Sequence, residues 1–275
     1  MAMRIAELLA AAATRGLDRL DAQLLLLHAL GHDANDRAWL LAHDQDPLAP
    51  DVLQRFDAHT ARRLAGEPVA YLLGHKEFFG LPLQVDARVL VPRPDTETLV
   101  EWALEHLPAG GSVVDLGTGS GAIALALAHA RPDALVAAVD RSADALAVAS
   151  ANARQLNLRV QFMQGDWLHG VDGPYDLIVS NPPYIAEEDP HLAALVHEPL
   201  AALAAGADGL DDLRTITADA GAHLSPGGWL LLEHGHDQAD AVCALLRAQG
   251  FVQVGSRMDL AGIARCSGGQ WPITG

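Results

Sequence analysis

The sequence predicts an α/β fold: a mostly parallel sheet covered by helices on both faces, preceded by a small helical bundle. Three observations carry that expectation. Beyond Gly110, short apolar runs alternate with helix-length segments, the rhythm of a parallel sheet built from βαβ units. Residues 5–73 keep helical spacing and hold no convincing strand. Between the two regions, residues 77–85 place two short apolar runs around Gly80, the pattern of a β-hairpin. With 275 residues, 50% of them hydrophobic, the chain can bury a large domain and a small companion.

The elements follow in order. Residues 1–20 open with one Arg and an alanine-rich run, but Glu7 interrupts the apolar stretch. Leu8, Leu9, Ala12 and Ala13 recur as on one helix face, so an amphipathic helix is preferred to a signal peptide. Residues 21–30 read as a leucine-rich helix stopped by Gly31, and 36–43 as a short one before Pro47. Residues 50–64 start at Pro50 or Asp51 with Gly66 beyond their end, and 68–72 are closed by Gly74. A helical bundle is the simplest packing of such segments. The boundaries expected are a helical domain over 1–74, a hairpin linker over 75–90 and a catalytic domain over 91–275. In the last, Pro92 and Pro94 precede a helix over 95–106. Strand-like runs then cover 113–116, 135–140, 160–164, 176–180, 229–233 and 251–254. Helices separate them over 122–130, 143–156, 210–223 and 238–249. No apolar run reaches the roughly eighteen residues of a membrane span.

Charge and composition narrow the function classes. The chain has 18 basic and 35 acidic residues, a formal charge of −17, and no dense Lys/Arg run. That balance counts against a nucleic-acid backbone as partner. Cys243 and Cys266 are the only cysteines and form no CxxC pair, so neither a disulfide scaffold nor a zinc site is implied and a reducing cytoplasm fits. The 13 histidines are scattered: Gly31 separates His28 from His32, and His234 and His236 lack a carboxylate or cysteine at ligand spacing. No metal is expected.

Ligands of open α/β sheets bind outside the carboxyl ends of the strands, and the unusual residues lie in those turns. The first strand runs into Asp115-Leu116-Gly117-Thr118-Gly119-Ser120-Gly121. Its glycine spacing is GxGxG rather than the dinucleotide GxGxxG, and no Lys-Ser/Thr follows as in a P-loop. Asp140 ends the second strand, where a carboxylate can accept from both ribose hydroxyls. Gly165-Asp166-Trp167 follows the third, where an adenine ring can meet an aromatic and a carboxylate. Either aspartate alone is as readily a helix cap; together, around these glycines, they favour an adenosyl ligand.

The fourth strand ends in Ser180-Asn181-Pro182-Pro183-Tyr184. Asn-Pro and Pro-Pro are also ordinary loop punctuation, but this tetrad sits one crevice from the cofactor turn. A planar NH2 conjugated to a carbonyl or ring has a delocalised lone pair, and it cannot be deprotonated near neutral pH. Two acceptors can instead fix both N–H bonds and turn the lone pair towards an incoming methyl. The Asn181 side-chain oxygen is one acceptor and the Pro182 carbonyl the other. Pro183 disfavours the helical conformation at Pro182, fixing that carbonyl. Tyr184 supplies a flat face for stacking. No general base is expected. Adenine, cytosine and guanine amino groups and the glutamine amide all satisfy this description.

Further stretches narrow it. Residues 91–97 (VPRPDTE), 115–121, 138–140, 165–167, 180–185, 197–199 (HEP), 207–210 (ADGL) and 231–235 (LLEHG) together resemble the release-factor glutamine methyltransferases, the PrmC/HemK family. The resemblance implies a class I S-adenosylmethionine-dependent methyltransferase with a Rossmann-like seven-stranded sheet, a helical N-terminal domain that grips the release factor, and a β-hairpin linker. It implies transfer of a methyl group to the glutamine of the Gly-Gly-Gln loop in bacterial class 1 peptide chain release factors 1 and 2, with a monomer expected. The implied cofactor contacts are Gly117, Thr118, Gly119, Ser120, Gly121, Asp140, Trp167 and Asn181. Asn181, Pro182, Pro183 and Tyr184 hold the glutamine amide, Arg93 and Glu97 shape the rim, and Glu198, Pro199 and Glu233 support the loops. Gly268-Gly269-Gln270 repeats the target tripeptide in what reads as a short tail. Coincidence is the preferred reading there, with a pseudosubstrate as the alternative.

Overall fold

A computed structural model describes residues 3–273. Its contacts divide the chain into two units, Met1–His75 and Lys76–Gly275. In the first, five helices pack around leucines: α1 Ile5–Thr14, α2 Arg19–Leu30, α3 Arg37–Ala42, α4 Pro50–Leu64 and α5 Val69–Leu73. The sequence signals act where they stand. Asp18 caps α2 by accepting from Leu20 N–H at 2.7 Å, and Gly31 ends it at φ +77°. Pro50 starts α4. Ile5, Leu25, Leu26, Leu27, Leu40 and Phe56 form the centre of this core. No helix among the described residues is long and apolar enough to cross a membrane.

The hairpin, β1 His75–Phe78 and β2 Leu81–Gln84, turns through Phe79 and Gly80, both at positive φ. Phe78, Leu81 and Leu83 are buried in the core of the second unit. Buried Asn152 fastens the hairpin further: its side chain accepts from Gln84 N–H at 2.7 Å and donates to Gln84 C=O at 3.0 Å.

The second unit continues with α6 Glu97–His106, β3 Ser112–Leu116, α7 Ala122–Ala130, β4 Leu135–Asp140, α8 Ala143–Leu156, β5 Gln161–Gln164 and β6 Tyr175–Ser180. After a long loop come α9 Asp211–His223, β7 Leu224–Glu233, α10 Ala239–Ala248, β8 Val252–Met258 and β9 Ala264–Gln270. The sheet has seven strands in the order β5-β4-β3-β6-β7-β9-β8. The first five pair in parallel, and β9 is antiparallel to both its neighbours. Both faces are buried. Val113, Leu177 and Val179 point into one core with α6 and α7, while Val114, Leu116 and Ile178 point into the other with α9 and α10.

The seven strands implied by the resemblance are present; the residue pattern gave six of them, and the one it missed is β9. The Gly-Gly-Gln therefore does not lie in a tail: it ends a strand between β7 and β8. A Cβ on Gly268 would lie 2.7 Å from the Leu230 carbonyl and 2.4 Å from Leu231 Cδ2, so the close strand approach demands glycine. The Gln270 amide is engaged at both ends, donating to Gly227 C=O at 2.9 Å and accepting from Gln253 Nε2 at 2.6 Å.

Because the Leu230 carbonyl belongs to a central strand, it cannot retreat from a new methyl. Gly268→Ala should cost about 1–3 kcal/mol of stability in urea melts, the usual range for overpacking. Gly255 faces Gly268 in register and has no atom within 4 Å of its missing Cβ. Gly255→Ala should stay within about 0.5 kcal/mol of wild type; equal losses at both sites would refute the close-approach argument.

Candidate active site

The strand order creates the site. The chain steps outwards from β3 to β4 and β5, then returns on the other side of β3 as β6, leaving a crevice beyond the carboxyl ends of β3 and β6. Leu116 and Ser180 face each other at the end of that pair, and Ser180 Oγ donates to Leu116 C=O at 2.7 Å. The glycine turn and the tetrad leave the sheet side by side from this point.

In the glycine turn, Gly117, Gly119 and Gly121 all have positive φ, +71°, +55° and +84°. Their jobs differ. Gly117 and Gly119 line a cavity of about 180 Å³ together with Leu90, Asp140, Trp167, Asn181 and Pro183. Nothing lies within 4 Å of a Cβ built on Gly119, whereas one on Gly117 would meet the Trp167 ring at 3.0 Å. Thr118, Ser120 and Gly121 do not line the cavity; they build the turn. Thr118 Oγ1 donates to Asp115 at 2.6 Å, the Ser120 carbonyl accepts from Asn152, and Gly121 packs against Leu125 and Ala149.

Asp140 accepts from Gly119 N–H and from Ser142 N–H, each at 2.9 Å. Its carboxylate thus braces the turn and keeps acceptor capacity towards the cavity. Trp167, at φ +51°, donates its indole N–H to Asp212 at 3.1 Å. Burial raises the Asp212 carboxyl above its ordinary value, against the hydrogen bond from Trp167. Arg141 donates to Ala201 C=O at 2.9 Å, drawing the 3₁₀ turn Leu200–Ala202 across the cavity mouth. Glycines open to close approach, a carboxylate at the end of β4 and an indole against the turn are what an adenosyl group requires, so the residues fit one.

Asn181 lines both this cavity and a second of about 90 Å³, half the volume and suited to a side chain. Pro182, Tyr184, Arg93, Leu195 and Leu203 line the second; Pro183 lines the first. The tetrad therefore spans the two. Asn181 Nδ2 donates to Thr96 Oγ1 at 3.2 Å, and among the described residues Oδ1 receives no donor. The Tyr184 hydroxyl lies 3.4 Å from Glu233 Oε1. Burial, reinforced by Glu233, pushes the phenol up. Its backbone is held too: Tyr184 C=O accepts from Gln238 Nε2 at 3.0 Å. A Cβ on Gly209 would meet that same carbonyl at 2.2 Å.

The rim differs from expectation at one position. Arg93 does line the smaller cavity and pairs with buried Glu198, which also accepts from Val91 N–H at 3.0 Å. Glu97 lines neither cavity; it accepts from Phe79 N–H at 3.0 Å and holds the hairpin turn. Thr96, Asn152 and Gln238 carried no assigned role in the sequence. Thr96 lies within residues 91–97, but nothing in its spacing marks it as the partner of Asn181.

Neither cavity is lined by a histidine or a cysteine. Two carboxyls lie buried behind the site. Burial raises Asp115 from 3.8 to about 7 against hydrogen bonds from Thr118 and the Ala124 N–H. Burial likewise raises Glu233 from 4.5 to about 7, helped by Asp95 and opposed by Thr96 and Arg265.

Comparisons with known proteins bear on this arrangement. A family model described as the methyltransferase small domain matches residues 95–208, and one described as the PrmC N-terminal domain matches residues 2–74. The release factor glutamine methyltransferase of Bordetella pertussis is 54% identical over 92% of this chain and 95% of its own length. That of Xylella fastidiosa (strain Temecula1) is 50% identical over 96% and 97%. That of Pseudomonas aeruginosa is 49% identical over 92% of both chains. Among solved structures, a methyltransferase from Pyrococcus furiosus matches with a TM-score of 0.57 at 22% identity, covering 79% of this chain and all of its own. A Thermus thermophilus 16S rRNA N2 G1207 methyltransferase matches at 0.55 and 20% identity, covering 71% and 49%. These two share the class I methyltransferase fold.

Asp115 gives a pH signature. Its folded carboxyl keeps its proton up to about pH 7, while the unfolded one loses it near 3.8, so folding takes up a proton across that window. The resulting stability is complete below the unfolded value and is lost as pH rises towards 7. Relative to Asp115→Asn, which cannot ionise, wild type should lose stability steadily between about pH 4 and 7 in urea melts. A difference independent of pH would refute the assignment.

Proposed function

Because the chain belongs to the release factor glutamine methyltransferase family, we propose that it methylates the glutamine of a peptide chain release factor. The target is the side-chain amide nitrogen in the Gly-Gly-Gln loop of bacterial class 1 factors, release factors 1 and 2, and the donor is S-adenosylmethionine. The enzyme acts as a monomer in the cytoplasm, with the helical unit gripping the release factor. The observation that carries this reading is the orientation of Asn181. One N–H of its amide is donated to Thr96, which fixes the amide with its carbonyl oxygen free to accept, on a residue that lines both cavities.

When bound, S-adenosylmethionine supplies a methyl group on a positively charged sulfur, already electrophilic. Gly117 and Gly119 give its adenosyl portion room, Asp140 accepts from the ribose hydroxyls, and Trp167 lies beside the adenine. Thr118, Ser120 and Gly121 shape the turn that presents these contacts, and Asn181 closes the cavity. The task left to the chain is alignment. Asn181 Oδ1 and the Pro182 carbonyl each accept one N–H of the glutamine amide, and the Tyr184 ring supports its plane. The nitrogen lone pair is thereby turned into the larger cavity. Alignment of this kind is worth ~7–11 kcal/mol of barrier. The nitrogen would gain the methyl group as the carbon–sulfur bond breaks, with S-adenosylhomocysteine as the neutral leaving group. The methylated nitrogen is then strongly acidic, so its proton passes to water without a side-chain base. A site free of histidine and cysteine supports that account. The charge of −17 supports a protein over a nucleic acid as substrate.

Incubation with labelled S-adenosylmethionine tests the substrate. Label should enter a release factor but not its loop Gln→Ala variant; label on RNA or DNA would sink the reading. Asn181→Ala should lower kcat by about 100-fold, the scale of a misaligned reactant, while cofactor affinity measured by calorimetry changes only a few-fold. Loss of cofactor binding alone would refute the two-acceptor mechanism.

A further inference from the structure

The first residue of the reaction tetrad is held by the sheet and by Thr96; the last is held by a side chain that the methyl transfer leaves unused. Gln238 stands at the N-cap of α10. Ser, Thr, Asp and Asn are preferred there because they cap the helix, and Gln238 makes no such bond. Its amide is engaged elsewhere. Oε1 accepts from Gly235 N–H at 2.8 Å, and Nε2 donates to Tyr184 C=O at 3.0 Å and to Asp208 C=O at 3.3 Å. One side chain thus ties together the loop after β6, the loop after β7 and the loop before α9.

Backbone polarity settles which end of the amide goes where. A peptide N–H only donates and a peptide C=O only accepts, so Gly235 must meet the oxygen and Tyr184 the nitrogen. The neighbouring glycines leave room for this contact and nothing larger. A Cβ on Gly209 would lie 2.2 Å from the Tyr184 carbonyl oxygen and 2.9 Å from Gln238 Nε2, and one on Gly235 would lie 3.0 Å from Gln238 Oε1. The Gly235 carbonyl is held in turn, by His234 Nδ1 at 2.8 Å and by Gln238 N–H at 3.1 Å. We propose that Gln238 is a positioning residue of the amide site, acting through Tyr184. Pro182 and Pro183 lock their φ angles, so the segment from Asn181 to Tyr184 is stiff and its path depends on where its two ends are fixed. Thr96 and the Ser180–Leu116 rung fix one end, and Gln238 fixes the other. With both ends pinned, the Pro182 carbonyl and the Tyr184 ring keep the directions that a glutamine amide needs. Without Gln238 the Tyr184 peptide can turn, and carbonyl and ring swing with it. Gln238 lines neither cavity, so its effect passes through the tetrad rather than through direct contact.

This inference rests on the glutamine reading above. Its test uses the full chain, labelled S-adenosylmethionine and a release factor, with kcat taken at saturation of both. Gln238→Met keeps the length of the side chain but loses the donor, and Gln238→Glu keeps its shape but turns lone pairs onto the Tyr184 and Asp208 carbonyls. Each should lower kcat by at least ~10-fold, the scale of a misaligned reactant, with Gln238→Glu the more damaging. KM for the release factor and cofactor affinity by calorimetry should stay within about three-fold of wild type. That split marks positioning, since a loosened fold would weaken binding as well. The inference is overturned if Gln238→Glu turns over like wild type, because the donor is then not needed. It is equally overturned if kcat and cofactor affinity fall together in both variants, the mark of a merely structural group. Should Gln238→Glu not fold, Gln238→Met decides by the same criteria. A wild-type enzyme that labels no release factor overturns the proposed function and takes this inference with it; active wild type with unaffected variants overturns the inference alone.

Discussion

The parallel pairing of β3 with β6 at the middle of the sheet determines where every group of the site can be. The two strands are far apart in the chain, separated by an outward excursion through β4 and β5. Their register sets Leu116 opposite Ser180, and the Ser180 hydroxyl bonds the Leu116 carbonyl. The glycine turn and the tetrad then begin one residue past a common rung. Side chains alternate along a strand, so a slip of one residue would send the Asn181 side chain to the opposite face and break the site outright. The apolar residues that fill both faces are what forbid that slip.

Around this rung the polar groups fall into two tiers. Those that line the cavities include acceptors and backbone, namely the Asn181 oxygen, the Asp140 carboxylate and the glycine peptide groups, with Arg93 beside them in the smaller cavity. Behind them lie Asp115 under the glycine turn and Glu233 under the tetrad, both sealed from water and both holding a proton to about pH 7. The rear tier orients the front one. Asp115 holds Thr118 and the start of α7, while Asn152 joins the glycine turn to α8 and the hairpin. Enzymes that move a methyl group from an activated donor need geometry more than proton transfer, and a rigid second tier supplies geometry.

Much of this was legible in the sequence, for a physical reason. The class I fold, the glycine turn, Asp140, Trp167 and the tetrad are each announced locally, by residues whose chemistry belongs to one turn at the end of one strand. The helices of the first unit are announced by their caps, Asp18 and Gly31 among them. β9 was not legible. Ser267, Gly268 and Gly269 break the alternation of apolar and polar residues that marks a strand, and only the nearness of Leu230 to Gly268, and of Phe251 and Val254 to Gly269, explains the glycines. Thr96 was hidden likewise. Thr96 meets a partner 85 positions away. A single buried polar residue carries no periodicity, so its task appears only once the strands are placed.

The Gly-Gly-Gln of β9 is stapled into a sheet, with its amide bonded at both ends. An enzyme that recognised the bare tripeptide would find it throughout a proteome, starting with itself. One that needs a free amide, both hydrogens unspent and the backbone loose enough to enter a small cavity, would pass over every copy already committed to a ladder. On the proposed activity, selectivity is then a matter of secondary structure as much as of spelling. The chain carries its own counter-example to the word it reads.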